Sequence, residues 1–211
     1  MGFSAFGNAY LASQLSEGKS YVIKKVELTN KNAEQTENIF NEVKLLQAFK
    51  HANIVSYRES IIEGQELNII MEFCAGGDLN QLIVEQKELQ GGRKLEETQV
   101  VDWATQIALA IFYMHDKRIL HRDLKTPNIF IADHRVKLGD FGISKVLDEK
   151  VDLASTSIGT PYYMSPEQYR HKPYSYKSYT WLYSGIFGPS GASSMRCATK
   201  NGPSRHSRST D

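Results

Sequence analysis

Two short runs of residues stand out for the groups they bring together. His121-Arg122-Asp123-Leu124-Lys125-Thr126-Pro127-Asn128 sets a carboxylate, an ammonium and an amide in one loop-like stretch, and Asp140-Phe141-Gly142 begins twelve residues after Asn128. Asp123, Asn128 and Asp140 offer oxygen atoms, the ligands that a hard divalent cation takes. Upstream, Lys24 closes the run Tyr21-Val22-Ile23-Lys24, and Glu42 follows it by 18 residues. Any one of these alone is ordinarily a solvated loop residue, a helix cap or a surface charge. Five fixed positions in one run and three in the other, correctly spaced, are not explained that way.

The first run fits H-R-D-L-x-x-x-N without departure, and the second is D-F-G, the paired signature of protein kinases. The chain resembles a eukaryotic protein kinase over residues 2–178. The wording of residues 102–131 and the run Ile158-Gly159-Thr160-Pro161-Tyr162-Tyr163-Met164-Ser165-Pro166-Glu167 resemble the NIMA-related serine/threonine kinases. The resemblance implies an α+β, two-lobed kinase-like fold: a small β-rich N-lobe over 1–73 lacking its first strand, and an incomplete, mainly α-helical C-lobe over 74–178. It implies ATP and Mg²⁺ as cofactors and transfer of the γ-phosphate to Ser/Thr hydroxyls of protein substrates. Phosphoryl transfer asks a protein for positioning and charge neutralisation more than for covalent chemistry. By the resemblance, Asp123 accepts the substrate hydroxyl's proton and Asn128 and Asp140 hold Mg²⁺. Lys125 stands near the transferred phosphate and favours Ser/Thr over Tyr specificity. Lys24 contacts the α- and β-phosphates and pairs with Glu42.

The remaining expectations also come from the resemblance. The glycine-rich pattern G-x-G-x-x-G-x-V falls on Gly2, Ser4, Gly7 and Ala9. Ser4 narrows the backbone's approach to phosphate, and a flap hinged on one side should hold phosphate poorly. A plain surface turn is the alternative there. Met71 lines the back of the adenine pocket, with Glu72, Phe73 and Cys74 as the linker, and Cys74 reads as a small apolar residue rather than a reactive one. Residues 140–167 form an activation segment. Thr156 aligns with the activating phosphorylation site, with Ser155 and Ser157 as rivals, and a phosphate there would pair with Arg122. Thr160 would bond toward Asp123 and Lys125. An activating kinase or self-phosphorylation is implied, as is a cytoplasmic location with cytoskeletal or ciliary association.

The elements that must position these groups are legible in the pattern. Asn8–Ser13 and Ser20–Leu28 read as a hairpin about Gly18. Residues 33–49 place Ile39, Val43, Leu46 and Phe49 on one helical face. Residues 53–62 and 66–73 are strands about Glu63-Gly64. Residues 95–115 form a long amphipathic helix with Val100, Ala104, Ile107, Ile111 and Met114 as its stripe. Short strands follow at 128–132 and 135–139, and residues 74–78 are the hinge. In 211 residues with 41% hydrophobic and 23% charged content and a net charge of +1, nothing points to nucleic acid or a membrane. No secretory pattern opens the sequence, and Phe6 stands where a myristoylation signal wants a small hydroxyl. Two cysteines make no disulfide framework.

The pattern changes after Ser178. Residues 179–211 hold Arg196, Lys200, Arg205 and Arg208 against Asp211 alone, a balance of +3 that leaves −2 for residues 1–178. Tyr179 stands where the resemblance expects the aspartate of Asp-Ile-Trp. Read in a shifted frame, synonymous codons for Gly185–Thr199 can encode D-I-W-A-L-G-C-I-L-Y-E-M-C-N. A retained intron, a small insertion or an assembly error would each place the tail out of frame; a genuine Ser/Arg-rich arm is the rival reading. A catalytically inactive truncated isoform, acting as a binding or competing module, is therefore the alternative to an active kinase.

Overall fold

The computed structural model describes residues 3–4, 7–88, 95–121, 123–141, 145–146 and 170. Five antiparallel strands form the first layer, in the order β1-β2-β3-β5-β4. They are β1 (Phe3–Ser4), β2 (Gly7–Ser13), β3 (Ser20–Glu27), β4 (Tyr57–Glu63) and β5 (Glu66–Glu72). β1 pairs with the start of β2, so the flap carries a two-residue strand where the sequence predicted none. Gly18 and Gly64, at φ +66° and +61°, turn the two hairpins at the positions read from the sequence. Glycine bears that left-handed backbone without a Cβ penalty.

Helix α1 (Ala33–Ala48) starts at Asn32, whose side chain accepts the Gln35 N–H at 2.8 Å while the Gln35 side chain accepts the Asn32 N–H at 3.1 Å. This reciprocal cap satisfies two amide donors that the helix start would leave free. Val43, Leu46 and Phe49 are buried and Ile39 packs against them, as the spacing predicts. The next strand begins at Tyr57 rather than at residue 53, because Ile54 and Val55 are committed elsewhere. Ile54 bridges Leu138, and the Val55 N–H donates to the Leu138 carbonyl at 2.9 Å.

Past the hinge come α2 (Leu79–Glu88) and α3 (Glu97–Asp116), then β6 (Ile119–Leu120), a 3₁₀ turn (Thr126–Asn128), β7 (Ile129–Ala132), β8 (Arg135–Leu138) and β9 (Lys145–Val146). β7 and β8 form a hairpin whose two turn residues, Asp133 and His134, both have positive φ. That is the backbone of a two-residue turn matching strand twist. Ala104, Ile107, Ile111 and Met114 of α3 are buried, along with Trp103, Ala108 and Ala110. One apolar core runs from Val26 and Leu67 under the sheet through Leu46, Phe49 and Ile54 to α3, Ile129 and Leu138. The β-rich layer and the helical layer share this core. Among the described residues no helix is long and apolar enough to cross a membrane.

Candidate active site

Strand alternation decides between the two adjacent lysines. Lys24 faces the core, with 5% of its surface exposed, while Lys25 reaches Glu66 at 3.0 Å on the outer face. The Lys24 ammonium donates to Glu42 Oε1 on α1 at 2.8 Å and lies 3.5 Å from Asp140 Oδ1. Glu42 is 7% exposed. Burial alone would drive the proton from Lys24, but the charges of Glu42 and Asp140, with hydrogen bonds to both, outweigh it and hold the pKa above that of an ordinary lysine.

The second half of the site is built on the loop after β6. His121 is buried; its Nδ1 faces the Asp123 N–H at 3.3 Å and its Nε2 lies 3.0 Å from the Gly139 carbonyl. Burial lowers its pKa, so the ring is neutral and Nε2–H is the donor to Gly139. His121 therefore ties the loop holding Asp123 to the residue before Asp140. Asn128 Nδ2 donates to the Asp123 carbonyl at 2.8 Å and to Asp123 Oδ2 at 3.1 Å, and its own backbone carbonyl accepts the Gly139 N–H at 3.0 Å. Lys125 Nζ lies 2.7 Å from Asp123 Oδ2. Asp140 has φ +58°, a left-handed conformation that a non-glycine residue adopts at a cost. Phe141 behind it is fully buried between the rings of Phe49 and His121, at 5.0 and 5.1 Å.

Oxygen donors are available for a hard cation. Asn128 spends its amide N–H groups on Asp123, which leaves Oδ1 as a donor to metal, and Asp140 offers a carboxylate a quarter exposed. These two fit Mg²⁺ by ligand type.

Met71 is half-buried on β5, opposite Val22 of the Lys24 strand, and packs against the main core and against a second small cluster of Val55, Cys74 and Ala132. Glu72 ends β5; Cys74 is buried, and desolvation pushes its thiol up to about 12, so it stays protonated and inert. Gly7 opens β2, and Ala9 pairs with Lys24 across the ladder. Lys24, Glu42, Asp123, Lys125, Asn128 and Asp140 come together; Met71, Glu72 and Cys74 lie at and just past the end of β5. Gly2, Arg122, Thr156, Thr160 and the rival Ser155 and Ser157 lie outside the described residues, as does the tail from 179.

Several supporting residues escaped the sequence reading. Asp78 caps α2, accepting the Gln81 N–H at 2.8 Å. Asn53 Nδ2 donates to Gln106 Oε1 on α3 at 2.9 Å and to the Val136 carbonyl at 3.0 Å, fixing the turn after α1 to the second layer. An Asp before a helical run was a usable signal for the first; the second needs contacts that no local pattern carries.

The protein kinase domain model matches residues 1–188. Among curated proteins, the chain is similar to serine/threonine-protein kinase Nek4 of Mus musculus, 48% identical over 183 residues, and to Nek1 of Mus musculus, 45% over 182. It is also similar to Nek5 of Homo sapiens, 44% over 183 residues. Each match covers 86% of this chain but 23%, 15% and 25% of the relative, so the chain spans a quarter or less of their lengths. With a family match over most of its length and relatives that are all NIMA-related kinases, the chain belongs to the protein kinase family, among the serine/threonine kinases.

Proposed function

We propose that this chain transfers the γ-phosphate of ATP to Ser or Thr hydroxyls of protein substrates. One observation carries the reading: Lys24 of β3 bridges Glu42 of α1 and Asp140 after β8, bringing cation and carboxylate from three elements to one point. Bound Mg²⁺ would neutralise charge on the phosphates; Asn128 and Asp140 would hold it. Lys24, kept charged, would bind the α- and β-phosphates while Glu42 fixes its direction. Asp123 would take the substrate hydroxyl's proton, its carboxylate held by Asn128 and Lys125. Met71 and the linker backbone from Glu72 to Cys74 would receive the adenine, and Gly7 would sit in the flap above the phosphates. Thr156 and Thr160 would regulate the activation segment through phosphorylation by another kinase or by itself. A cytoplasmic site of action, with cytoskeletal or ciliary association, follows the family resemblance.

The test is transfer of labelled phosphate from Mg-ATP to a generic Ser/Thr substrate, with Asp123→Asn as control. Transfer that vanishes in the control supports the proposal. Absence of transfer together with tight Mg-nucleotide binding favours the inactive binding or competing module instead, and absence of both refutes the nucleotide reading.

A further inference from the structure

Glu72 was expected only as part of the linker, yet its side chain makes an ion pair with the strand that leads to Asp140. Both carboxylate oxygens lie 2.9 Å from Lys137 Nζ on β8, and Oε2 also accepts the Ser56 N–H at 3.1 Å. The Glu72 N–H donates to the Ser56 carbonyl at 2.9 Å, so Glu72 is pinned to the segment before β4 from both ends. Lys137 is 13% exposed and Glu72 28%, so the pair is partly withdrawn from water. It forms one wall of a cleft of about 390 Å³ behind the linker, with Ala52, Ala132, Asp133 and Arg135.

The two ends of this ion pair belong to different parts of the site. Glu72 is the first linker residue. β8 is locked to β7, where Lys137 pairs with Phe130, and to the turn after α1, where the Leu138 N–H donates to the Asn53 carbonyl at 2.9 Å. Asp140 follows Lys137 by three residues, with Gly139 anchored on Asn128. A shift of the linker relative to β8 is thus a shift relative to Asp140.

We propose that Glu72 and Lys137 form a cross-lobe strut that sets the distance between the adenine-receiving linker and Asp140; Lys137 is a positioning residue, and its effect on nucleotide rests on the kinase reading above. Without the charge pair, the linker keeps the Gly76 N–H bond to the Ile131 carbonyl and the packing of Cys74 with Val55 and Ala132, but no charged tie to β8, and nucleotide and metal ligand lose register. Coupling between two such sites ordinarily amounts to a factor of about 5–150; a partly exposed pair belongs at the low end, about fivefold.

The experiment compares Lys137→Met, which keeps the stem and removes the charge, with Lys137→Arg, which keeps the charge. Two quantities are read on the whole chain: Mg-ADP affinity by calorimetry, and amide hydrogen exchange of the peptide spanning residues 72–77 by mass spectrometry without nucleotide. The expected result is about fivefold weaker Mg-ADP binding and faster exchange of that peptide in Lys137→Met, both recovered in Lys137→Arg, at a similar unfolding temperature. Unchanged affinity in Lys137→Met, or equal loss in the Arg variant, overturns the strut. If the unaltered chain binds no Mg-ADP, the kinase reading fails, and the exchange rates alone decide: a rise in Met recovered in Arg upholds the strut, and no rise overturns it.

Discussion

Replacing Lys24 by Met, alone and together with Glu42→Gln, should expose the logic of the buried pair. Lys24 and Glu42 are 5% and 7% exposed, and the Glu42 carboxylate accepts the Lys24 ammonium's hydrogen bond. Removing one partner of a buried ion pair leaves the other charge uncompensated, which costs about 3–5 kcal/mol. That is a large share of a net stability of about 5–15 kcal/mol. The cost lies in the charge left behind, so removing that charge as well, with Glu42→Gln in the same chain, should recover part of it. The double variant should therefore be more stable than Lys24→Met alone, by about 1–3 kcal/mol. Urea unfolding of the single and double variants and of the unaltered protein by circular dichroism measures this. A double variant no more stable than Lys24→Met would refute the argument. Glu42→Gln alone should be milder than Lys24→Met, since Lys24 keeps Asp140 at 3.5 Å.

Asp140→Asn should weaken nucleotide binding in the presence of Mg²⁺ by at least tenfold and leave metal-free binding nearly unchanged, because it removes a cation ligand and not a phosphate contact; titration with and without EDTA checks it. Gly76→Ala should destabilise by about 1–3 kcal/mol, read by thermal unfolding, since overpacking is costly where neighbours are fixed. Its Cβ would lie 2.7 Å from Ile131 Cγ2 and 2.8 Å from the Ile131 carbonyl oxygen. Asn53→Ala should cost about 1–3 kcal/mol by the same measurement, because buried polar groups that it now satisfies would lose a partner. Cys74, with its thiol at about 12, should alkylate roughly a thousandfold more slowly at pH 8 in the folded chain than in urea.

How much of this could be read beforehand depended on the range of the interaction. α1 was legible because Val43, Leu46 and Phe49 recur at helical spacing, and its burial follows that stripe. α2 was not: Asn80, Gln81 and Gln86 dilute the stripe, β-branched Ile83 and Val84 weaken propensity, and the helix depends on the Asp78 cap and the burial of Leu79. The Lys24 and Glu42 partnership was expected from motif spacing and lies at 2.8 Å. The late start of β4 was hidden, because Ile54 and Val55 answer to Leu138, far along the chain. Glu72 and Lys137 were hidden for the same reason: each alone is an ordinary charge on a strand.

The proposed site is arranged before any ligand arrives, and its charges suggest how it would change hands. Lys24, Lys125, Glu42, Asp123 and Asp140 sum to one negative charge, so the set alone repels a polyphosphate weakly and attracts a divalent cation. Lys24 meets Glu42 at 2.8 Å but Asp140 only at 3.5 Å. The short contact is a full hydrogen bond and the long one is at the edge of one. Asp140 is therefore the partner that Lys24 can release, and its exposure is three times that of Glu42. Asp140 and Asn128 would hold a cation, and Asp140 would then give up its weaker contact with Lys24. Lys24 would then turn toward phosphate while keeping Glu42, without either buried charge being left alone. The unequal distances thus favour an ordered exchange over one in which the Lys24–Glu42 pair breaks. If the pair did have to break, Glu42→Gln would ease nucleotide binding; in the ordered exchange it loosens Lys24 and weakens it.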